Sequence, residues 1–323
     1  MKVWLHRYAV LTALATLILI GIGGLVTSRE AGMAVPDWPT SYGYNMFALP
    51  FSMWVMGTFY EHTHRLFASF VGFLTTVLMV WLLVSEPRPW LRKLGVVAFF
   101  AVILQGVLGG LRVRLMKDEL GIPHAALAQL FLALVSLIAL FTAPAWNRTP
   151  LRWVTETVGA GWLRRLLVSI TCIIFVQLLL GAGMRHQHAG LAVSTFPLAY
   201  GKLWPSTDAA SLLAINQSRS ESHGANLITA AHVHLHMAHR IVAVLLLLGV
   251  GVFWWNLRRR NGTKATETRF ALAWVWLFLA QATLGAATVL YDKAADLATA
   301  HVMLGAASLV FGIIFTVTAY VRP

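Results

Sequence analysis

Four histidines occupy matching places in the two halves of the sequence, and their type and spacing suit metal binding. His64 and His124 lie in the first half, and His239 and His301 lie in the second, at offsets of 175 and 177 residues. Imidazole is a common metal ligand, and two imidazoles facing each other across a flat gap suit the axial positions of haem iron. The pattern therefore predicts two haem sites, one in each half.

Metal centres without haem suit the four histidines less well. The only cysteine, Cys172, lies in an apolar stretch, which excludes a cysteine-ligated metal centre within the chain. A non-haem cluster would be short of ligands, because few carboxylates accompany the histidines. The alternative that remains open is that the histidines hydrogen-bond to neighbouring helices at a membrane interface. A set repeated in both halves is harder to account for in that way.

Charged residues beside the histidines differ between the halves. Arg65 and Arg240 each follow a histidine, in EHTHR and HMAHR, and either could pair with a haem propionate or extend to the membrane interface. Glu61 precedes His64 by three residues and shares its helical face, whereas the matching position in the second half is His236. A carboxylate inside a membrane is costly. The asymmetry therefore indicates a special role for Glu61. The alternative that stays open is an exposed residue at the helix start, whose negative charge interacts favourably with the positive end of the helix dipole.

The remaining histidines carry weaker signals. His232, His236 and His239 share one helical face, and His234 points elsewhere. A metal site made by His232 and His236 is a weak alternative, and the roles of His232, His234 and His236 stay open. The other histidines are predicted to be loop or interfacial residues without a role: His62, His186, His188 and His223.

The composition shows what kind of structure must position these residues. Hydrophobic residues make up 58% of the 323 positions and charged residues only 11%, with a mean hydropathy of +0.71. Soluble domains carry about 25% charged residues, so an ordinary soluble enzyme and a disordered protein are both excluded. The net charge of +13 comes from scattered basic residues. No nucleic-acid partner is therefore predicted.

Eight continuous apolar stretches are long enough to cross a bilayer. They run approximately over 8–28, 62–84, 92–112, 123–143, 165–184, 232–254, 270–290 and 298–320. Strands of a membrane barrel would alternate with period two, so these stretches are predicted to be helices. All four paired histidines fall in the first turns of even-numbered spans, and we therefore expect them at the same face of the membrane.

The orientation follows from the distribution of basic residues. Fifteen of the 25 Lys and Arg residues lie on the side of the two termini and eight in the opposite loops. The termini are therefore predicted to be cytoplasmic and the histidine sites to lie toward the outer face. The first span has no cleavage site and no Arg- and Ser-rich transit peptide precedes it. These features favour a multi-pass protein of the bacterial cytoplasmic (inner) membrane.

An internal repeat divides the sequence into two units. Residues 31–43 (AGMAVPDWPTSYG) match residues 189–201 (AGLAVSTFPLAYG) at seven of 13 positions, at an offset of 158. LQGVLGGLRV, from Leu104, resembles AQATLGAATV, from Ala280, at an offset of 176. Four spans per unit predict a parallel repeat. The predicted fold is an all-α membrane protein of eight transmembrane helices in two tandem four-helix bundles, residues 1–146 and 147–323.

These residues together resemble the haem A synthase family over nearly the whole chain. The resemblance is carried by GGLVTSREAGMAVPDWPTSYG, EHTHR and HMAHR, with His124 and His301 at the start of later spans. Any one motif alone is weak, but the combination at this spacing is specific. Many bacterial relatives carry a cysteine pair at the positions of Val35 and Ser41. Its absence puts electron delivery through thiols in that loop in doubt.

The resemblance implies an enzyme that oxidises the C8 methyl of haem O to a formyl group, giving haem A for terminal oxidases. It implies a haem b cofactor in the C-terminal half with His239 and His301 as axial ligands. It also implies a substrate site in the N-terminal half, where His64 and His124 face the haem O iron. Glu61 matches the family's catalytic glutamate, and Arg65 and Arg240 remain the candidates for contacts with haem.

Partners and rival functions complete the prediction. The expected partners are haem O as substrate, haem O synthase and a membrane or quinone electron donor, and a homo-oligomer is left open. One rival function is a di-haem electron-transfer protein of the cytochrome b type. Another is a haem carrier without catalysis. The sequence leaves open the electron donor, the source of the inserted oxygen and the resting ligation of each haem.

Overall fold

The protein is a nearly all-helical membrane protein. The computed structural model describes residues 2–144, 146, 161–218 and 227–320. Within these ranges the α-helices are α1 (Lys2–Ser28), α2 (Met56–Ser85), α3 (Pro89–Arg114), α4 (Gly121–Thr142), α5 (Gly161–His186), α6 (Ala209–Ser218), α7 (Ala230–Asn261), α8 (Thr266–Leu290) and α9 (Ala295–Tyr320). All except α6 are long and apolar enough to cross a membrane. The predicted fold class and the eight spans are confirmed.

Several helices extend beyond the apolar stretches that predicted them. Helix α2 begins at Met56, six residues before the predicted span, and α7 continues through Arg258 to Asn261. A helix can leave the hydrocarbon region without ending, and basic side chains in its last turn favour the negative end of the helix dipole. His64 and His239 therefore both lie in the third turn of their helices, deeper than the predicted first turn.

The spanning helices form two sets in which each helix contacts its neighbours in cyclic order. Helices α1, α2, α3 and α4 form the first set, and α5, α7, α8 and α9 form the second. Each set packs around its own apolar core, with Leu82 and Val135 in one and Phe253 and Trp274 in the other. This arrangement is compatible with two tandem bundles. The predicted boundary after residue 146 adjoins residues 147–160, which lie outside the described residues.

Two long loops connect helices at one end of the molecule, which we call the loop face. The first long loop comprises residues 29–55, and the second comprises residues 187–229, including α6, with residues 219–226 outside the described residues. In the first, the Tyr42 hydroxyl donates to the Ala34 carbonyl, and in the second the Tyr200 hydroxyl donates to the Ala192 carbonyl. The two hydrogen bonds correspond to each other at the 158-residue offset of the repeat. Helices α2, α4, α7 and α9 all begin at this face.

Candidate functional site

The two histidines of the second set approach each other closely. The ring centroids of His239, on α7, and His301, on α9, are 6.3 Å apart. Metal–imidazole bonds of about 2 Å each, with about 1 Å from nitrogen to ring centre on both sides, require a separation of about 6 Å. The space between the two rings therefore matches one metal ion held by both.

Each of the four paired histidines is seated against a glycine of the preceding membrane-spanning helix. The ring carbon Cε1 lies 3.0 to 3.3 Å from the position that a Cβ atom would take on that glycine. The four pairs are His64 with Gly23, His124 with Gly109, His239 with Gly181, and His301 with Gly285. Any larger residue would crowd the ring. The glycines thus form cradles that fix the imidazoles. Each cradle in the first half corresponds to one in the second half, at the repeat offsets of 158 and 176.

Hydrogen bonding around the rings is consistent with a metal bound at the other nitrogen. Nδ1 of His301 lies 3.1 Å from the backbone carbonyl of Gln281, whose side-chain amide donates to the His301 carbonyl. A ring that donates from Nδ1 presents Nε2 as a metal ligand. The Nδ1 atoms of His64, His124 and His239 are buried without a hydrogen-bond partner among the described residues. In the second half, the ring separation and this hydrogen bond fit a haem bound by two imidazoles, and the first half shares the seating of its histidines on glycines.

Glu61 and Arg65 form a buried ion pair on α2. Arg65 donates from Nε and Nη2 to Oε1 of Glu61, at 3.1 and 2.6 Å, and the backbone N–H of Val35 donates to Oε2 at 2.8 Å. The Arg65 guanidinium also donates to the carbonyls of Val35, Asp37 and Thr40. The pair therefore fastens the first long loop to α2, beside His64.

Arg240 plays the corresponding part in the second half. Its Nη2 donates to the carbonyls of Val193 and Thr195, at 2.9 and 2.8 Å. These positions match Val35 and Asp37 at the 158-residue offset. Both arginines thus bind loop carbonyls, and contact with a haem propionate stays a prediction for each. The sequence pattern did not indicate this loop contact, because it forms between residues that are distant along the chain.

The first long loop also reaches α3. The Trp38 ring lies 2.3 to 2.6 Å from where a Cβ on Gly110 would stand, so only glycine admits it there. Burial alone would raise the pKa of Asp37, but hydrogen bonds from Thr40, Gly43 and Tyr42 together hold that pKa below its ordinary value. The loop is thereby held across the end of the first set of helices, next to Gly109 and the ring of His124.

Two loop positions that the sequence analysis singled out are buried. Val35 and Ser41 are both fully inaccessible to solvent. The Ser41 hydroxyl lies 3.4 Å from Nδ1 of His62, whose ring packs edge-on against Trp54. His62, on α2, therefore packs against the first long loop.

The extra histidines of α7 have separate surroundings. His236, which matches Glu61, is buried, and its Nδ1 has no hydrogen-bond partner among the described residues. His232 accepts from the backbone N–H of Thr229 and helps to cap α7. His234 lies near Trp204. Over the described ranges, no group of three or more His, Cys, Asp or Glu side chains is placed to hold a metal ion.

Four ionisable residues near the first site were not predicted to have a role. Arg112, Asp118, His186 and His188 meet at the loop face between the two sets of helices. They come from separate elements, α3, the turn before α4 and the end of α5. Their spacing along the chain therefore shows no motif, and only the packing of α4 against α5 brings them together.

Comparison with known proteins shows the family to which the chain belongs. The family model COX15-CtaA, described as "Cytochrome oxidase assembly protein", matches residues 6–314. A protein of Shouchella clausii named "Heme A synthase" is 27% identical over 324 residues, covering 98% of this chain and 95% of its own. A protein of Shewanella oneidensis with the same name is 25% identical, covering 92% of this chain and 90% of its own.

The family match extends over both sets of helices and all four paired histidines. A further protein named "Heme A synthase", from Rhodopseudomonas palustris, is 27% identical and covers 97% of this chain and 89% of its own. The family resemblance seen in the motifs is therefore confirmed over nearly the full length. The chain belongs to the haem A synthase family of cytochrome oxidase assembly proteins.

Proposed function

We propose that this protein is a haem A synthase, an oxidoreductase that converts the C8 methyl of haem O to a formyl group and so provides haem A for terminal oxidases. The observation that carries the proposal is the difference between two otherwise matching sites. Both have a histidine pair seated on glycines, but only the first has a buried carboxylate, Glu61, where the second has His236. A symmetric electron carrier would have no need of that difference.

In the first half the chain's own residues bind and orient the substrate. His64 and His124 are the ligands for the haem O iron, and Gly23 and Gly109 fix their rings. Glu61 lies one turn before His64 on α2 and shares its face. Its Oε2 atom accepts one hydrogen bond, from Val35, and keeps a lone pair for a proton. We assign Glu61 the role of proton acceptor during oxidation of the methyl group.

In the second half the corresponding residues hold a resident cofactor. His239 and His301 would bind haem b, and the carbonyl of Gln281 fixes the ring orientation of His301. When bound, haem b supplies electrons to the first site. His236 leaves this half without a carboxylate beside its histidines. That difference suits a haem that must stay chemically unchanged.

The membrane location suits the substrate. Haem O carries a farnesyl tail, and the sites lie within helices that can cross a bilayer. The excess of basic residues on the side of the termini supports cytoplasmic termini, with both sites toward the outer face of a bacterial cytoplasmic membrane. The reaction is two hydroxylations of one methyl group followed by loss of water, with haem O synthase as supplier of the substrate.

The test is haem extraction and mass analysis after co-expression with a haem O synthase in a host that lacks haem A. We expect haem A from the unmodified protein and none from Glu61→Gln, which keeps the size of the side chain. His64→Ala should also abolish haem A. The matched controls are Glu267→Gln, a buried glutamate at the start of α8, and His62→Ala, two residues from His64.

The controls separate chemistry from folding. Glu267→Gln and His62→Ala should still give haem A, because neither residue lies in the proposed site. If the unmodified protein binds haem but yields only haem B and haem O, the enzyme proposal is wrong and a di-haem electron-transfer protein or a haem carrier replaces it. Haem A from Glu61→Gln at the normal level would remove the catalytic role of Glu61.

A further inference from the structure

A cluster of ionisable side chains joins the two sets of helices at the loop face. Asp118, in the turn before α4, accepts hydrogen bonds from Arg112 at the end of α3. Nδ1 of His186, at the end of α5, lies 3.2 Å from Oδ1 of Asp118, and Nε2 of His188 lies 3.3 Å from Oδ2. The carboxylate of the first half therefore stands between two imidazoles of the second half.

The three residues run from the surface toward the interior. The side chain of His188 is 40% exposed, that of Asp118 26% and that of His186 7%. His188 and Asp118 line a pocket of about 180 Å³ together with Glu30 and Thr27. The pocket has room for several water molecules. One end of this row of residues thus meets a pocket whose lining includes the charged side chains of Glu30 and Arg112, and the other end is buried.

The buried end approaches the histidine pair of the first half. The ring of His186 lies against Gly121, with Cε1 only 2.1 Å from where a Cβ would stand. Gly121 precedes His124 by three residues on α4, or about 4.5 Å along the axis. Arg112 follows Gly109, the glycine cradle of His124, by three residues on α3. The cluster is therefore about one helical turn from His124, on the side of the loop face.

The charges that face the cluster come from each neighbouring element. Arg112 of α3 neutralises Asp118, and Glu30, just after α1, lies across the pocket. Arg185 of α5 turns away toward α1, where it donates to the Gly24 carbonyl and the Ser28 hydroxyl. Asp118 is thus the carboxylate shared by both imidazoles.

The repeat provides an internal comparison, because helices α9 and α1 pack as α4 and α5 do. At the offsets of 158 and 176, the positions that match Arg112, Asp118, His186 and His188 are Thr288, Ala294, Ser28 and Glu30. The second junction therefore lacks the imidazoles and the bridging carboxylate at these positions. The cluster therefore lies near His124 of the first half, and the matching positions near His301 of the second half do not form one.

We propose that His188, Asp118 and His186 form a proton-transfer path between the pocket and the substrate site of the first half. The inference rests on the proposed function, because each electron that reaches the first site adds a negative charge, and a proton taken up from the pocket compensates it. A proton bound at His188 passes from Nε2 to Oδ2 of Asp118. The carboxyl group then rotates by half a turn, which brings this O–H to Nδ1 of His186, and the proton passes to that nitrogen. His186, now protonated on both nitrogens, gives the proton on Nε2 to water on the side of the substrate site, so the charge of the path is unchanged.

The experiment measures proton uptake directly in the full-length, haem-loaded protein. The bound haem is photoreduced in weakly buffered detergent solution, while a pH-indicator dye reports proton uptake and haem absorbance reports reduction. We expect Asp118→Asn to slow proton uptake at least tenfold with unchanged haem content and spectrum. His188→Gln should also slow it, and because His188 is exposed this variant keeps the test valid if Asp118→Asn fails to fold. Glu119→Gln, the exposed acidic neighbour, is the matched control.

Two results would overturn the path. One is an uptake rate in Asp118→Asn and His188→Gln within twofold of the unmodified protein, and the other is an equal slowing by Glu119→Gln. The same preparations are analysed for haem A. If the unmodified protein makes haem A but its proton uptake does not depend on Asp118, the proton path is rejected and the proposed synthase stands. Uptake that depends on Asp118 without any haem A from the unmodified protein rejects the proposed synthase and retains the path.

Discussion

Arg65 donates two hydrogen bonds to Oε1 of Glu61, one turn earlier on α2, and both side chains are more than nine-tenths buried. Removing two charges from water is expensive unless their remaining hydrogen-bonding groups are satisfied. Here the first long loop satisfies them, through the N–H of Val35 and the carbonyls of Val35, Asp37 and Thr40. The pair and the loop are therefore one structural unit, and the position of Glu61 beside His64 depends on it.

This unit predicts unequal losses of stability in the two halves. Arg65→Ala leaves Glu61 as an unpaired buried charge and should lower the free energy of unfolding by about 4 kcal/mol. Arg240→Ala removes hydrogen bonds to loop carbonyls and a cation–π contact with Phe196, but it strands no partner charge and should cost about 2 kcal/mol. Reversible unfolding in mixed micelles measures both. Equal losses would mean that the ion pair adds nothing to the contacts of Arg65 with the loop.

The glycine cradles predict loss of haem when they are filled. Gly285→Val places a branched side chain against the ring of His301, whose Cε1 is 3.0 Å from the Cβ position. We expect the haem b content of the purified protein to fall at least twofold, because haem b is assigned to the second half and only that site is disturbed. Gly106→Val is the control, since a Cβ at Gly106 meets nothing within 4 Å. Unchanged haem content in Gly285→Val would show that the ring can move aside and still bind.

The first long loop should respond to acid through Asp37. Burial opposes ionisation of this carboxyl group, but hydrogen bonds from Thr40, Gly43 and Tyr42 outweigh it and hold the pKa of Asp37 below its ordinary value. A carboxyl group with a lowered pKa in the folded state stabilises the protein above its unfolded pKa, near 4, and loses this contribution as the pH falls through the folded pKa. The stabilisation should therefore be present at pH 6 and decline below about pH 4.

The repeat supplies the variant that tests this dependence. Thr195 stands at the matching place in the second long loop, where its hydroxyl accepts from the N–H of Tyr200, as Asp37 accepts from Tyr42. Asp37→Thr keeps an acceptor but removes the charge. The difference in thermal midpoint between the two proteins should shrink as the pH falls from 6 to 3. A difference that stays constant over that range would contradict a role for the carboxylate charge.

The sequence predicted the helices well because apolar stretches and the membrane they cross have similar lengths. It located their ends less well, since the backbone of α2 and α7 continues where the apolar composition stops. Helix α6 was missed, although Asp208 accepts from the N–H of Ser211, which is a helix-start signal. A helix of ten residues outside the membrane has no long apolar stretch to reveal it.

The candidate site was predictable only in part. Features that depend on the local sequence were predicted, and contacts between distant segments were not. The paired histidines were found because the repeat places them in register along the chain. The contacts of Arg65 and Arg240 with loop carbonyls, and the meeting of Asp118 with His186, depend on how distant segments pack. The glycine cradles were visible as a repeated motif around Gly109 and Gly285, but their partner rings lie on the next helix.

Chemical rescue tests whether the histidines are metal ligands or only packing residues. His301→Ala leaves a space beside Gly285 of about the size of one imidazole, so added imidazole should restore the haem absorbance lost in the variant. A ligand role requires a nitrogen at the metal, whereas a packing role requires only volume. The comparison is therefore with added benzene, which fills space without a donor atom and should restore nothing. His62→Ala, a packing variant by its contact with Trp54, should retain its haem without any additive. Equal recovery with imidazole and benzene would contradict axial ligation by His301.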